Sequence, residues 1–173
     1  MKPYYEDSLT KIYNCSSFIF KSDVVVLDPP APLGDSNIFD AKIYYIFAGN
    51  NCAFYEEQFP DKPNVRVKWK FSVPEDNGQM ARVFTDYVLM VGTLMGPGPA
   101  LYKQKVISER FSKWERPLEF ALNLIAESDG DVLDPFMGTG AFLVAAKMMG
   151  RKSIGFDTDE KCCEIVAKRL MEV

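Results

Sequence analysis

Histidine is missing from all 173 residues, and this absence excludes more chemistry than any other feature of the sequence. Without an imidazole there is no ordinary general base near neutral pH and no Ser-His or Cys-His nucleophile pair. The four cysteines, Cys15, Cys52, Cys162 and Cys163, form no C-x-x-C pair. A zinc site would have almost no ligands to draw on, so no metal is expected. No apolar run approaches the roughly 20 residues that span a bilayer, and the opening stretch MKPYYEDSLTKIY lacks the apolar core of a signal peptide. A soluble, cytoplasmic protein is expected. Whatever chemistry occurs must run on carboxylates, backbone groups or a cofactor.

Positive charge is also scarce: the formal net charge is -4, which argues against coating nucleic acid through bulk charge. Two local basic stretches remain. RVKWK places Arg66, Lys68 and Lys70 at alternate positions, on one face of a strand, and KQKVISERFSKWER carries Lys103 and Lys105 with further cations behind them. Each can be read as a phosphate-binding patch or as a solvated edge that discourages strand pairing.

Nearly half of the residues are apolar, enough for one well-filled core but too few for two comfortable domains. Strands are expected over Lys11 to Asn14, Val24 to Leu27, Ile43 to Phe47, Val65 to Phe71, Phe84 to Val91, Val132 to Leu133 and Ser153 to Phe156. Helical patterns fit Asn51 to Gln58, Pro117 to Glu127, Thr139 to Met149 and Asp159 to Met171, with Gly150 as a stop. The stretch GTLMGPGPALY reads as a loop. The last third runs strand, glycine turn, helix, strand, helix, the order of a parallel crossover unit in an α/β sheet.

Two motifs end candidate strands. In DVLDPFMGTG, Asp134, Gly138 and Gly140 stand where open α/β sheets bind ligands, beyond the carboxyl ends of their strands. Asp157 follows roughly 20 residues later, the usual spacing for a carboxylate that accepts ribose hydroxyls. Taken alone, this turn fits a nucleoside or mere tight packing. The second motif, DVVVLDPPAP, stops a buried strand with Pro29 and Pro30 and presents Asp28 on a rigid turn beside a fixed carbonyl.

On these residues the sequence resembles the S-adenosylmethionine-dependent amino-methyltransferases of DNA, in the β-class order and of the short phage type. VVVLDPPA is similar to their Asp-Pro-Pro-aromatic motif, WERPLEFALNLI to their basic-Pro motif, and GDVLDPFMGTGAFLVAAKMMGRKSIGFDTDEKCCEIVAKRL to their cofactor-binding half. The resemblance implies a single-domain, Rossmann-like class I fold with a mostly parallel seven-stranded sheet and a circularly permuted motif order. Residues 1–113 would form the catalytic half with short target-recognition loops, and 114–173 the cofactor half. It implies that Asp134, Pro135, Phe136, Gly138, Thr139 and Gly140 cradle S-adenosylmethionine, that Asp157 binds its ribose, and that Arg116 and Pro117 lie near its methionine end. Asp28 and the Pro29 carbonyl, with Pro30 and position 31 behind them, would hold the amino group of a base in DNA, adenine in preference to cytosine. Carbon-5 methylation is set aside, because no cysteine here follows a proline.

The chain departs from this pattern in places. Ala31 stands where the family has an aromatic that stacks on the flipped base, which would weaken base binding unless a neighbouring aromatic such as Phe39 or Tyr55 substitutes. Asn14 and Cys15 replace a Gly-Asp pair that faces the cofactor adenine. Few residues remain for target recognition, so a homodimer or a partner subunit would extend the DNA contact. Two other readings follow: a subunit that binds cofactor or DNA without turnover, and an amino-methyltransferase of RNA or protein.

Overall fold

The computed structural model describes residues 2–16, 21–29, 39–48, 51–61, 64–73, 82–92, 101–103 and 115–173, with the backbone alone over 64–73, 82–87 and 101–103. The strands are β1 (Tyr5–Glu6), β2 (Thr10–Asn14), β3 (Lys21–Leu27), β4 (Asp40–Phe47), β5 (Asn64–Val73), β6 (Arg82–Val91), β7 (Leu101–Lys103), β8 (Val132–Asp134) and β9 (Ser153–Asp157). The helices are α1 (Cys52–Glu56), α2 (Leu118–Ala126), α3 (Ala141–Met148) and α4 (Glu160–Met171). All seven expected strands and all four helices are present.

Among the described residues the strands form one sheet in the order β1-β2-β9-β8-β3-β4-β6-β5-β7, the seven expected strands with two additions. The two additions, β1 and β7, span two and three residues, too short to leave a periodic signal in sequence. Leu101 and Tyr102 therefore leave the expected loop and pair, parallel, with β5. The block β2-β9-β8-β3-β4 is parallel, whereas β6 runs antiparallel to both β4 and β5.

Both faces of the central strands are covered, which is why Val24 to Leu27 reads as an unbroken apolar run. On one face Val24, Val26, Tyr45 and Phe47 pack under α2 and α3 through Phe120, Leu124, Phe142 and Ala145. On the other, Val25, Leu27, Tyr44 and Ile46 pack against Phe39, Tyr55 and Phe59. A third cluster joins Ile12, Met137 and α3 to Cys163, Val166 and Leu170 of α4. Pro117, with ψ 139°, precedes the first helical residue of α2, and Gly150 ends α3 in the left-handed region at φ +69°.

The antiparallel hairpin reaches past the parallel block. Phe47, the last residue of β4, pairs with Val88, yet β6 stays paired with β5 back to Arg82. At ~3.3 Å per residue the overhang is roughly 20 Å long, and it leaves from the carboxyl ends of β3 and β4. Among the described residues β7 pairs with this overhang, at Lys68 to Lys70.

Candidate functional site

Four adjacent parallel strands, β2, β9, β8 and β3, end together and deliver Asn14 and Cys15, Asp157, Asp134 and Asp28 to one edge of the sheet. Asp134 is 1 % exposed, and its carboxyl oxygen accepts the Phe136 N–H at 3.2 Å. Burial, and then the negative charges of Asp28 and Asp157, hold its pKa well above the usual carboxylate range, an effect that the Phe136 hydrogen bond only partly opposes. Asp134 therefore holds its proton more tightly than an ordinary carboxyl does.

Asp157 is held by the backbone: one oxygen accepts the Gly138 N–H at 2.9 Å and the other the Asp159 N–H at 2.8 Å. It thereby shapes the glycine turn, and its remaining lone pairs leave acceptor capacity for a ligand hydroxyl. Asn14 pairs with Asp157 in register, and its side-chain amide donates to the Asp157 carbonyl at 3.3 Å. Cys15 is half-buried, just beyond that pair.

The two turn glycines have different causes. At Gly138, φ is +50° and an added Cβ would meet nothing within 4 Å, so open space lies beside the backbone. At Gly140, φ is +75° and an added Cβ would fall 2.7 Å from the Val166 methyls of α4. Gly138 leaves room for a ligand to approach; Gly140 leaves room for a helix. Thr139 is buried, and its carbonyl accepts from Arg169 at 2.7 Å.

Asp28 meets Arg116 across 88 positions of sequence in a two-pronged fork, Nε to Oδ2 at 2.6 Å and Nη2 to Oδ1 at 2.8 Å. The same guanidinium lies 4.5 Å from the Phe47 ring centroid, a cation–π contact on the α2 face of the sheet. Beside it, Glu115 is tied to the buried Arg169 at 2.8 Å, and the Nη1 that makes this bond also holds the Thr139 carbonyl. Residues 115–117 are thus joined to the Asp28 strand on one side and to the glycine turn on the other.

The described residues therefore bring Cys15, Asp28, Pro29, Arg116, Pro117, Asp134, Pro135, Phe136, Gly138, Thr139, Gly140 and Asp157 to one region. Pro30, Ala31 and Lys105 lie outside the described residues. Phe39 and Tyr55, expected as substitute stacking partners, are 1 % and 2 % exposed and locked in the core under the second face, so neither offers a free ring. Arg66, Lys68, Lys70 and Lys103 belong to the antiparallel part, not to the carboxyl-end cluster. Lys68 and Lys70 lie on the hairpin overhang, where β7 covers β5, and Lys70 is in register with Lys103. Shielding an edge is not their role, because β5 is not the edge there.

Sequence reasoning missed Arg169, Glu115 and Phe47. For Arg169 a signal existed: it falls on the stripe Cys163, Val166, Leu170 that α4 buries, an odd place for a cation. The cysteines of α4 divide as their spacing requires, with Cys163 buried and Cys162 partly exposed. Burial, joined by the charges of Asp157 and Asp159, pushes the Cys162 thiol up to about 11, so it is no ready nucleophile. Among the described residues no group of three His, Cys, Asp or Glu side chains could hold a metal ion, and no helix is long and apolar enough to cross a membrane.

A cleft of about 380 Å³ opens at the opposite, amino ends of β8, β9 and β3, lined by Asp7, Lys21, Asp131 and Lys152 among others. It lies at the wrong end of the strands for the ligands of such sheets, and its Lys11 and Lys21 are paired with Glu6 and Asp40.

Residues 107–168, from the segment before Arg116 to the last helix, match the family model N6_N4_Mtase, described as DNA methylase. Over that segment the chain is similar to the DNA methylases. Among curated relatives, the type II methyltransferase M2.DpnII of Streptococcus pneumoniae is 32% identical over 104 residues, covering 54% of this chain and 38% of the relative. The type II methyltransferase M.MthZI of Methanothermobacter thermautotrophicus is 42% identical over 59 residues, or 32% of this chain and 17% of the relative. The methylase likeness to these curated relatives thus spans well under half of their lengths. Solved structures match far more of it. The M1.HpyAVI complex with S-adenosylmethionine superposes with a TM-score of 0.68 at 18% identity, over 93% of this chain and 100% of that one. The cytosine-N4-specific PvuII DNA methyltransferase follows at 0.62 and 14%, over 98% and 95%. At such identities the likeness is one of fold, an α/β sheet flanked by helices.

The two glycines of this turn separate by substitution. Gly140→Ala should cost about 2–4 kcal/mol, because strain in the left-handed region adds to the clash with Val166. Gly138→Ala should cost about 1–2 kcal/mol from strain alone. Urea midpoints at constant slope measure both, and equal losses would contradict the assignment.

Proposed function

We propose that this chain transfers a methyl group from S-adenosylmethionine to the exocyclic amino group of a base in DNA, adenine N6 in preference to cytosine N4. One observation carries the reading: three carboxyl groups, Asp28, Asp134 and Asp157, converge around a backbone left bare at Gly138, with Arg116 as their facing cation. That charge pattern fits a ligand that bears a sulfonium and an ammonium on one part and a carboxylate on another. The family match over the cofactor-binding segment and the fold shared with the M1.HpyAVI complex support it. The aspartate form of the Asp-Pro-Pro motif supports adenine.

Each residue then has work suited to its chemistry. Gly138 admits the nucleoside, Asp157 accepts its ribose hydroxyls, Asp134 lies under the cationic end, and Arg116 faces the carboxylate. When bound, the cofactor supplies a methyl group on a sulfonium, an electrophile that leaves behind a neutral thioether. Asp28 and the Pro29 carbonyl would accept the two amine hydrogens, which would draw the nitrogen lone pair out of conjugation and leave it free to attack. Once the amine had taken the methyl group, Asp28 would accept the N–H proton it loses and pass it to solvent. Positioning and electrostatics supply the rate, and no histidine or covalent intermediate is required.

DNA would reach the site along the overhanging hairpin. Lys68, Lys70 and Lys103 share one face of it by alternation, and Lys70 and Lys103 are direct register partners. Like charges placed opposite each other destabilise a sheet, and a phosphate backbone would offset that cost.

Transfer of a labelled methyl group to unmethylated DNA, followed by nucleoside analysis, tests the reaction. Label is expected in N6-methyladenine and should vanish with Asp28→Ala while cofactor binding persists. Cofactor binding with no transfer would favour a non-catalytic subunit, and transfer to RNA or protein alone would reassign the substrate. For the DNA path, Lys68→Ala with Lys70→Ala should lower the salt dependence of binding, log K against log salt, by about 2. The control pair Lys21→Ala with Lys152→Ala, at the opposite end of the sheet, should leave it unchanged; equal effects would remove the hairpin from the DNA path.

A further inference from the structure

The Arg116 fork poses a problem for the reading above. Both carboxylate oxygens of Asp28, the group meant to accept the target amine, already accept from one guanidinium. A carboxylate paired in this way is a weaker acceptor for a neutral amine, because its charge is spent on a stronger, charge-assisted partner. The pair is also sheltered: the Arg116 and Asp28 side chains are 20% and 25% exposed. Pulling such a pair apart with nothing in exchange leaves two poorly solvated charges.

Resting on the proposed function, we propose that Arg116 is a positioning residue that exchanges carboxylates, holding Asp28 in the empty site and the cofactor's own carboxylate in the filled one. Asp28 then becomes a full acceptor for the amine only after cofactor has bound. The exchange costs little, because one ion pair replaces another and the incoming sulfonium supplies Asp28 with a new positive neighbour. Three features confine the motion to the Arg116 side chain. The Glu115–Arg169–Thr139 bridge fixes the backbone just before it to the glycine turn. Pro117 starts α2 just after it. The Phe47 face gives the guanidinium a surface on which it can swing without losing its cation–π contact.

The test needs two ligands that differ only in the amino-acid end: S-adenosylhomocysteine, which has the carboxylate, and 5'-methylthioadenosine, which has the nucleoside and thioether without it. Calorimetric titration of the wild type, Asp28→Asn and Arg116→Met reads the competition directly. Asp28→Asn weakens the grip on Arg116, so S-adenosylhomocysteine should bind roughly three- to tenfold more tightly, the range expected for removing a partly exposed competing ion pair. Methylthioadenosine should be unaffected. Arg116→Met should lower S-adenosylhomocysteine towards methylthioadenosine, with a melting temperature showing that the fold is kept; if that variant fails to fold, Arg116→Lys, which keeps the charge and loses the fork, should show the same trend in part. Unchanged or weaker S-adenosylhomocysteine binding in Asp28→Asn, or an equal change for both ligands, would overturn the exchange. Failure of the wild type to bind either ligand would overturn the cofactor reading itself, and the exchange with it.

Discussion

Carboxyl groups crowded at the end of a parallel sheet repel one another, and the way this molecule contains that repulsion organises the rest of the site. Each of the three acids is handled differently. Asp134 is buried, which raises its pKa and favours its neutral form. Asp157 spends its charge on two backbone N–H groups and so fixes the glycine turn. Asp28 takes Arg116, carried in from a segment 88 positions away. Remove any one arrangement and the other two carboxyls face an uncompensated neighbour, so the turn, the β3 end and residues 115–117 form one electrostatic unit.

The packing beneath serves that unit. Val24 to Leu27, Val132, Leu133 and Phe156 are almost fully buried, so the strand ends that carry the acids are held by core on both faces. The buried Arg169 ties α4 to the turn and to Glu115 at once, which makes the last helix part of the site although none of its side chains was expected there. Breaking such a buried pair by removing one partner typically costs about 3–5 kcal/mol, enough to loosen the turn that Arg169 supports.

How much of this was legible in the sequence follows from the range of each signal. The seven strands and four helices were readable because alternation, apolar runs and the stops at Gly150 and Pro117 are local. Asp28, Asp134, Gly138 and Asp157 were readable because strand-end motifs carry their own geometry. The separate duties of Gly138 and Gly140 were not, since what an added Cβ would meet depends on Val166, far along the chain. The Asp28–Arg116 fork and the Glu115–Arg169 pair were hidden for the same reason. The edge strands β1 and β7 were too short to register, and without β7 the placement of Lys68 and Lys70 on an internal strand could not be seen. Phe39 and Tyr55 looked available as aromatics only because burial is a tertiary property.

These features form a single account: a sheet end that concentrates negative charge, a bare backbone that admits a nucleoside, and one arginine between the acids and the ligand's own carboxylate. The most direct test is calorimetric titration with S-adenosylmethionine in two buffers of different ionisation heat. At a pH just above the ordinary carboxylate range, where the raised pKa of Asp134 favours its neutral form, the account predicts saturable one-site binding with net proton release, because the incoming sulfonium lowers that pKa, and predicts that Asp134→Asn abolishes the release. Absence of saturable binding, or binding whose proton count is unchanged by Asp134→Asn, would contradict it.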